Sequence, residues 1–210
     1  MIEINEKTFE YALTEFKNIV EKDTTEKLVE FKTNNFINEH ENYKYAVLEQ
    51  AKNSLLTKTW KEDEIGNGRI LKSVKDSIQT NVIYNYETHQ NNLIDWRKKD
   101  NFSKLKANQK NEKLLFEFFK SKIKDEKAFD QFSELGFSYQ LIAYLFFIKN
   151  SQKYLPISQT RFDLIFSSLN IDLKTSHNSS WENYQEFVGI IKQFQNYLKQ
   201  RRGYHQHGHQ

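Results

Sequence analysis

Three short patterns in this chain could hold a divalent metal. A Mg²⁺-dependent nuclease uses an acidic residue, a gap, then Asp/Glu-x-Lys on a strand, so that the carboxylates bind the ion and the lysine steadies the attacking water. Asp163 with Asp172-Leu-Lys174 has that form, as do Asp23 with Glu30-Phe-Lys32, and Asp125-Glu-Lys127. With 28 acidic and 31 basic residues in the chain, three such matches are close to what chance supplies. None falls on a strand that its neighbours support. The six histidines add little. His40, His89 and His177 stand alone, while His205, His207 and His209 alternate after Gly203; they could hold a transition metal but read better as a frayed tail. Cysteine is absent, which removes thiolate nucleophiles, disulfides and Cys-based zinc sites. No Gly-rich phosphate loop, Gly-x-Ser-x-Gly elbow or His-Glu-x-x-His occurs. The residues thus point to no cofactor, no resident metal and no catalytic activity of the chain's own, with a Mg²⁺-dependent nuclease as the third reading.

The other chemistry on offer is contact with a polyanion. The net charge is only +3, but it is unevenly spread. Residues 1–90 carry 12 Lys/Arg against 16 Asp/Glu, residues 91–127 carry 11 against 6, and residues 128–210 carry 8 against 6. In the basic stretch Arg97, Lys98, Lys99, Lys104, Lys106 and Lys110 interleave with Trp96 and Phe102. Lysines gathered on one helix face beside exposed aromatics would suit phosphate contact and base stacking. The plainer alternative is a solvated lysine face over buried phenylalanines. A second candidate surface is the polar side of a short helix after Ser158, where Gln159, Thr160, Arg161 and Ser167 would suit groove contact.

The elements that must position these residues are helical. Six Gly and one Pro leave few signals for the tight turns of an all-β fold, and 17 Phe, 11 Tyr and 3 Trp can fill an aromatic-rich core. The expectation is an all-α multi-helix bundle, in one or two helical subdomains. Phe9, Ala12, Leu13, Phe16, Ile19 and Val20 share a face over residues 6–21, and Asp23-Thr-Thr-Glu26 marks a break capped by Asp23. A second helix carries Leu28 and Phe31, with Phe36 and Ile37 near its end. A third runs through Tyr43, Ala46, Val47, Ala51 and Leu55. These three read as an antiparallel segment over 1–62. A charged joint from Trp60 and the loop Gly66-Asn-Gly68 place a boundary at 58–69, leaving 63–200 as the main helical domain and 201–210 as a flexible His-containing tail. Asn81-Val-Ile-Tyr-Asn-Tyr-Glu87 reads as an isolated extended piece or a helix, with no second strand to pair with. Leu141-Ile-Ala-Tyr-Leu-Phe-Phe-Ile148 has no polar face and is too short for a bilayer, so it reads as a buried helix. After Pro156, Ser158 caps the helix of Phe162, Ile165, Phe166 and Leu169. Ser179-Ser-Trp-Glu182 forms a capping box for a last helix carrying Trp181, Tyr184, Phe187, Val188, Ile191, Phe194 and Leu198. These three facing stripes are expected to make one core.

Several of these segments also resemble a known group of proteins. Phe137-Ser-Tyr-Gln-Leu-Ile-Ala-Tyr-Leu-Phe-Phe-Ile-Lys149, Tyr154-Leu-Pro-Ile157, Phe162-Asp163, Leu169-Asn-Ile171, Ser180-Trp-Glu-Asn-Tyr-Gln185 and the upstream Asn92-Leu-Ile-Asp-Trp-Arg97 look like a helical module of uncharacterised bacterial restriction and defence-type proteins. The resemblance covers roughly residues 90 to 200. It implies a non-catalytic part that stands beside a nuclease domain, and since no nuclease domain is seen here, catalysis is not carried over. The N-terminus, Met-Ile-Glu-Ile-Asn-Glu-Lys, lacks the order of a signal peptide, so a cytoplasmic location is the expectation and a membrane is not. The leading functional expectation is a nucleic-acid-associated module with DNA or RNA as partner. The alternative is an interaction or scaffolding protein that takes a protein partner or forms a homodimer.

Overall fold

Asparagine, serine and aspartate side chains punctuate the chain into helices. The structure, a computed structural model, describes residues 2–24, 28 and 34–206. In order, the elements are α1 (Glu6–Thr24), α2 (Asn35–His40), α3 (Tyr43–Leu55), α4 (Arg69–Ile78), β1 (Asn81–Tyr84), β2 (Glu87–Gln90), α5 (Trp96–Ser103), α6 (Gln109–Phe119), α7 (Asp125–Glu134), α8 (Tyr139–Lys149), α9 (Gln159–Ser168) and α10 (Trp181–Gln206). The fold is a multi-helix one with an aromatic-rich core and one small hairpin. Asn34, Asp95, Asn108 and Ser138 cap α2, α5, α6 and α8 by accepting a backbone N–H from the first turn. Ser180 does the same for α10, accepting from Asn183 N–H at 3.1 Å, one register beyond the expected Ser179/Glu182 pair. Ser158 occupies the cap position of α9, but its side chain makes no capping bond.

The chain forms two compact units, one from Phe31–Ile157 and the other from Met1–Glu30 with Ser158–Gln210. The inserted unit is built on α8, whose residues Leu141 to Phe146 have no exposed surface. Phe118, Phe132, Phe146 and Tyr154 pack edge-on around it. Here the uninterrupted apolar run behaves as expected, buried on all sides. A polar network crosses this core: Tyr144 O–H donates to the Ser77 carbonyl at 2.9 Å and accepts from Asn91 Nδ2 at 2.8 Å, while Asn91 Nδ2 also reaches the Ile78 carbonyl. Burial pushes the Tyr144 hydroxyl pKa upward, partly offset by its bond to Asn91.

In the flanking unit α1 belongs with α10, not with α2 and α3. Phe9 stacks on Phe194 with ring centres 4.3 Å apart, Tyr197 O–H donates to Glu10, and the Gln193 amide clasps the backbone at Ile2 and Ile4. The 58–69 joint lies inside the inserted unit, and Pro156 sits just before the division at Ile157. So α8 contributes to one core, and α9 and α10 to another. Of the α1 stripe, Leu13 and Val20 are buried while Phe16 and Ile19 remain exposed. The helix drawn through Leu28 and Phe31 falls largely outside the described residues, as do Glu26, Glu30 and Lys32. What is described starts at the Asn34 cap, and Phe36 and Ile37 open α2 instead of closing an earlier helix.

The piece expected to be isolated has a partner. β1 pairs antiparallel with β2, Asn81 opposite Gln90 and Tyr84 opposite Glu87. Asn85 and Tyr86 both adopt positive φ, 50° and 65°, the signature of a two-residue type I′ turn. The hairpin's inner face rests on α3 through His89, whose ring stacks on Tyr43 at 4.3 Å. Tyr86 is fully exposed and pays the left-handed penalty with no packing in return. Tyr86→Gly should therefore raise stability by about 0.5–1 kcal/mol; a lower urea midpoint for the variant would contradict the turn geometry.

Candidate functional site

The basic stretch begins where α5 leaves the hairpin. Asp95 accepts from Arg97 N–H at 2.8 Å and lies 3.6 Å from the Arg97 guanidinium, so the first turn of α5 carries Arg97, Lys98 and Lys99 behind a single acidic cap. Lys99 does not face solvent as a phosphate contact should. It is half-buried, its ammonium donates to the Asn91 carbonyl at 2.5 Å, and burial lowers its pKa against the opposing pull of Asp95. Lys98, Lys104, Lys106 and Lys110 are exposed and, among the described residues, have no carboxylate within ion-pair distance. Lys110 stands in the first turn of α6. Cations at helix N-termini oppose the macrodipole, by some tenths of a kcal/mol each. Two helix starts, α5 and α6, and the connection between them thus gather six cations, Arg97, Lys98, Lys99, Lys104, Lys106 and Lys110, against Asp95, Asp100 and the buried Glu112.

Against the expectation, Phe102 does not stand exposed beside these lysines. Phe102 is 2% exposed and packs against Phe137 with ring centres 5.6 Å apart, so it offers no face to a base. The Trp96 side chain lies outside the described residues.

The second candidate surface lies on the flanking unit and is partly consumed within it. Gln159 Nε2 donates to the Thr175 carbonyl at 2.9 Å, so its amide fastens a loop and is not available to read a groove. Asp163 fastens the same loop, accepting from Thr175 N–H and Oγ1–H at 2.7 Å each and from Ser176 N–H at 3.0 Å. Burial alone would raise the Asp163 carboxyl; the donors of Ser176 and Thr175 outweigh it and hold its pKa below the ordinary value. Thr160, Arg161 and Ser167 stay exposed, beside the apolar Leu164 and Ile165.

The acidic patterns are likewise occupied by internal bonds. Asp163 is taken as just described, and Asp172-Leu-Lys174 lies on an irregular segment with Leu173 buried between its polar neighbours. Asp125 opens α7, which turns Lys127 away from it, and accepts from Lys149 at 2.8 Å, Lys153 at 2.9 Å and the Tyr154 hydroxyl. Asp23 lies in the last turn of α1, while Glu30 and Lys32 are outside the described residues. Among the described residues no three His, Cys, Asp or Glu side chains converge as a metal ligand set. His207 and His209 are outside the described residues, and no helix among those described is long and apolar enough to cross a membrane.

Sequence reasoning passed over Glu112, the single acid in the first turn of α6. It has no exposed surface. Its carboxylate reaches the loop 44 to 46 residues upstream, where Oε2 accepts from Gly66 N–H at 2.7 Å and Gly68 N–H at 2.9 Å, and Oε1 accepts from Leu71 N–H at 2.8 Å. Glu112 thereby caps α4 from another helix and fixes the start of α6. Gly66 suits this loop because its φ of +97° would strain any residue with a side chain. Its place as the one acid in the first turn of α6 was the local signal. No family model, curated protein or solved structure matches this chain.

Proposed function

We propose that this protein is a non-catalytic, nucleic-acid-associated helical module, acting in the cytoplasm as part of a prokaryotic defence or restriction-type system. The observation that carries the nucleic-acid part is the set Lys98, Lys104, Lys106 and Lys110: exposed, without carboxylate partners among the described residues, and placed at and between two helix starts. Helix N-termini attract phosphate, and clustered ammonium groups add to that field. Such contacts are made to the backbone of the polymer and carry no sequence information. The defence setting is supported by the likeness of the segments between residues 90 and 200.

The test is fluorescence anisotropy with labelled duplex and single-stranded oligonucleotides between roughly 50 and 300 mM salt. Each phosphate contact contributes about 0.7 to 0.9 to the slope of log affinity against log salt. Replacing Lys98, Lys104, Lys106 and Lys110 together with Gln should flatten that slope by about 3. An unchanged slope, or no binding at the lowest salt, overturns the proposal. Exposed Leu164 and Ile165, 68% and 46% accessible, favour a second reading as an interaction protein. Self-association without affinity for DNA or RNA would select it.

A further inference from the structure

Resting on the nucleic-acid reading, a further assignment concerns what lies at the end of the lysine segment. There, between α6 and the end of α7, is a cleft of about 370 Å³. Lys110, Leu114 and Glu117 line it from α6, at the spacing that puts them on one helix face, and Gln131 and Glu134 of α7 with Leu135 just after it line the other side. The cleft's lip is tied to the lysine segment, because Asn111 Nδ2 donates to the Lys106 carbonyl at 3.0 Å.

Its chemistry differs from that of the lysines beside it. Leu114 and Leu135 are half-buried, whereas the neighbouring Leu115 and Phe118 are consumed by the core. Glu117 is partnered by Lys113 at 3.8 Å. Glu134 is exposed and has no ion pair among the described residues. Two apolar side chains that can cover a flat ring, a free carboxylate that accepts N–H donors, and a lysine at the entrance make a set suited to a nucleobase with its phosphate. The volume lies at the small end of the range of about 300–1,000 Å³ usual for ligand pockets. Carboxylates select bases that carry an exocyclic amino group, as in contacts to cytosine N4. A stacked and paired base cannot enter such a cleft; an unstacked base of a single strand can.

We propose that the α6/α7 cleft holds one unstacked base of a single strand whose phosphates run along Lys110, Lys106 and Lys104, with preference for amino-bearing bases. The experiment is competition anisotropy with oligo-deoxycytidine, oligo-deoxythymidine and a mixed-sequence duplex of equal length, on the wild-type protein, Glu134→Gln and Leu135→Ala. Wild type should prefer the cytidine strand over the thymidine strand by about tenfold, the scale of one good base contact. Glu134→Gln should erase that preference while keeping the salt slope, and Leu135→Ala should weaken both single strands several-fold without changing duplex affinity. Salt-sensitive binding that is equal for all three polymers and unmoved by Glu134→Gln overturns the cleft assignment and leaves the phosphate reading intact. No binding of any polymer overturns both.

Discussion

Glu112→Ala should cost the inserted unit about 4 kcal/mol, read as a fall of roughly 2 M in the urea midpoint at a typical slope of about 2 kcal/mol/M. Three backbone donors, on Gly66, Gly68 and Leu71, depend on this fully buried carboxylate. Bonds to a charged acceptor contribute about 1.5–3 kcal/mol each, and a buried donor left unmade costs a comparable amount. The loss also removes a negative charge from the N-terminal end of α4, where the dipole favours one. Glu112→Gln keeps the shape and one acceptor oxygen but turns an NH₂ group against amide donors, so it should fall between, near 2 kcal/mol. A loss below about 1 kcal/mol for the alanine variant would mean that water reaches the loop and satisfies it.

Asp125→Asn should lower stability at pH 6 by about 2 kcal/mol, and the gap should close as the pH falls from about 4 toward 2. Burial alone would raise the Asp125 carboxyl, but the bonds from Lys149, Tyr154 and Lys153 outweigh it and hold the pKa at about 2, against an ordinary 3.8. A carboxyl depressed in the folded state stabilises fully above its unfolded value and loses that contribution as pH drops through the folded one. That depression corresponds to about 2.4 kcal/mol, reduced here because about a fifth of the side chain meets solvent. The same cluster explains why Lys149 can be 9% exposed: its ammonium lies on Asp125 and 4.4 Å from the centre of the Phe118 ring. Burial and the bond to Asp125 both raise the Tyr154 hydroxyl pKa, so it stays a donor. If wild type and variant lost stability in parallel between pH 5 and pH 2, the ion cluster would not be the source.

The legible part of this fold was what local pattern specifies. An apolar run without a polar face can only be buried, and α8 is; Ser180 ahead of Trp181 can start a helix, and it does. What stayed hidden is partnership across long separations. The α1 stripe declares an apolar face but not which helix covers it, and its partner α10 lies nearly the whole chain away. β2 escaped notice because Glu87-Thr-His-Gln90 has no apolar alternation; its hold on α3 is a histidine ring stacked on Tyr43. In the candidate site, exposed lysines were readable from composition, whereas Lys99 and Gln159 were not. Each is held by a backbone carbonyl, of Asn91 and Thr175, which no residue type announces.

The division of the chain also sets an order of assembly. Everything the inserted unit needs is in hand once Ile157 has left the ribosome, including the partners of its longer-range bonds such as Tyr144 to Ser77. The flanking unit is in the opposite position. Glu10 is made 187 residues ahead of its partner Tyr197, and Phe9 is almost as far ahead of Phe194, so α1 must wait with its apolar side uncovered while the intervening residues are made. An interruption of translation between Ile157 and Phe194 therefore spares one unit and strands the other.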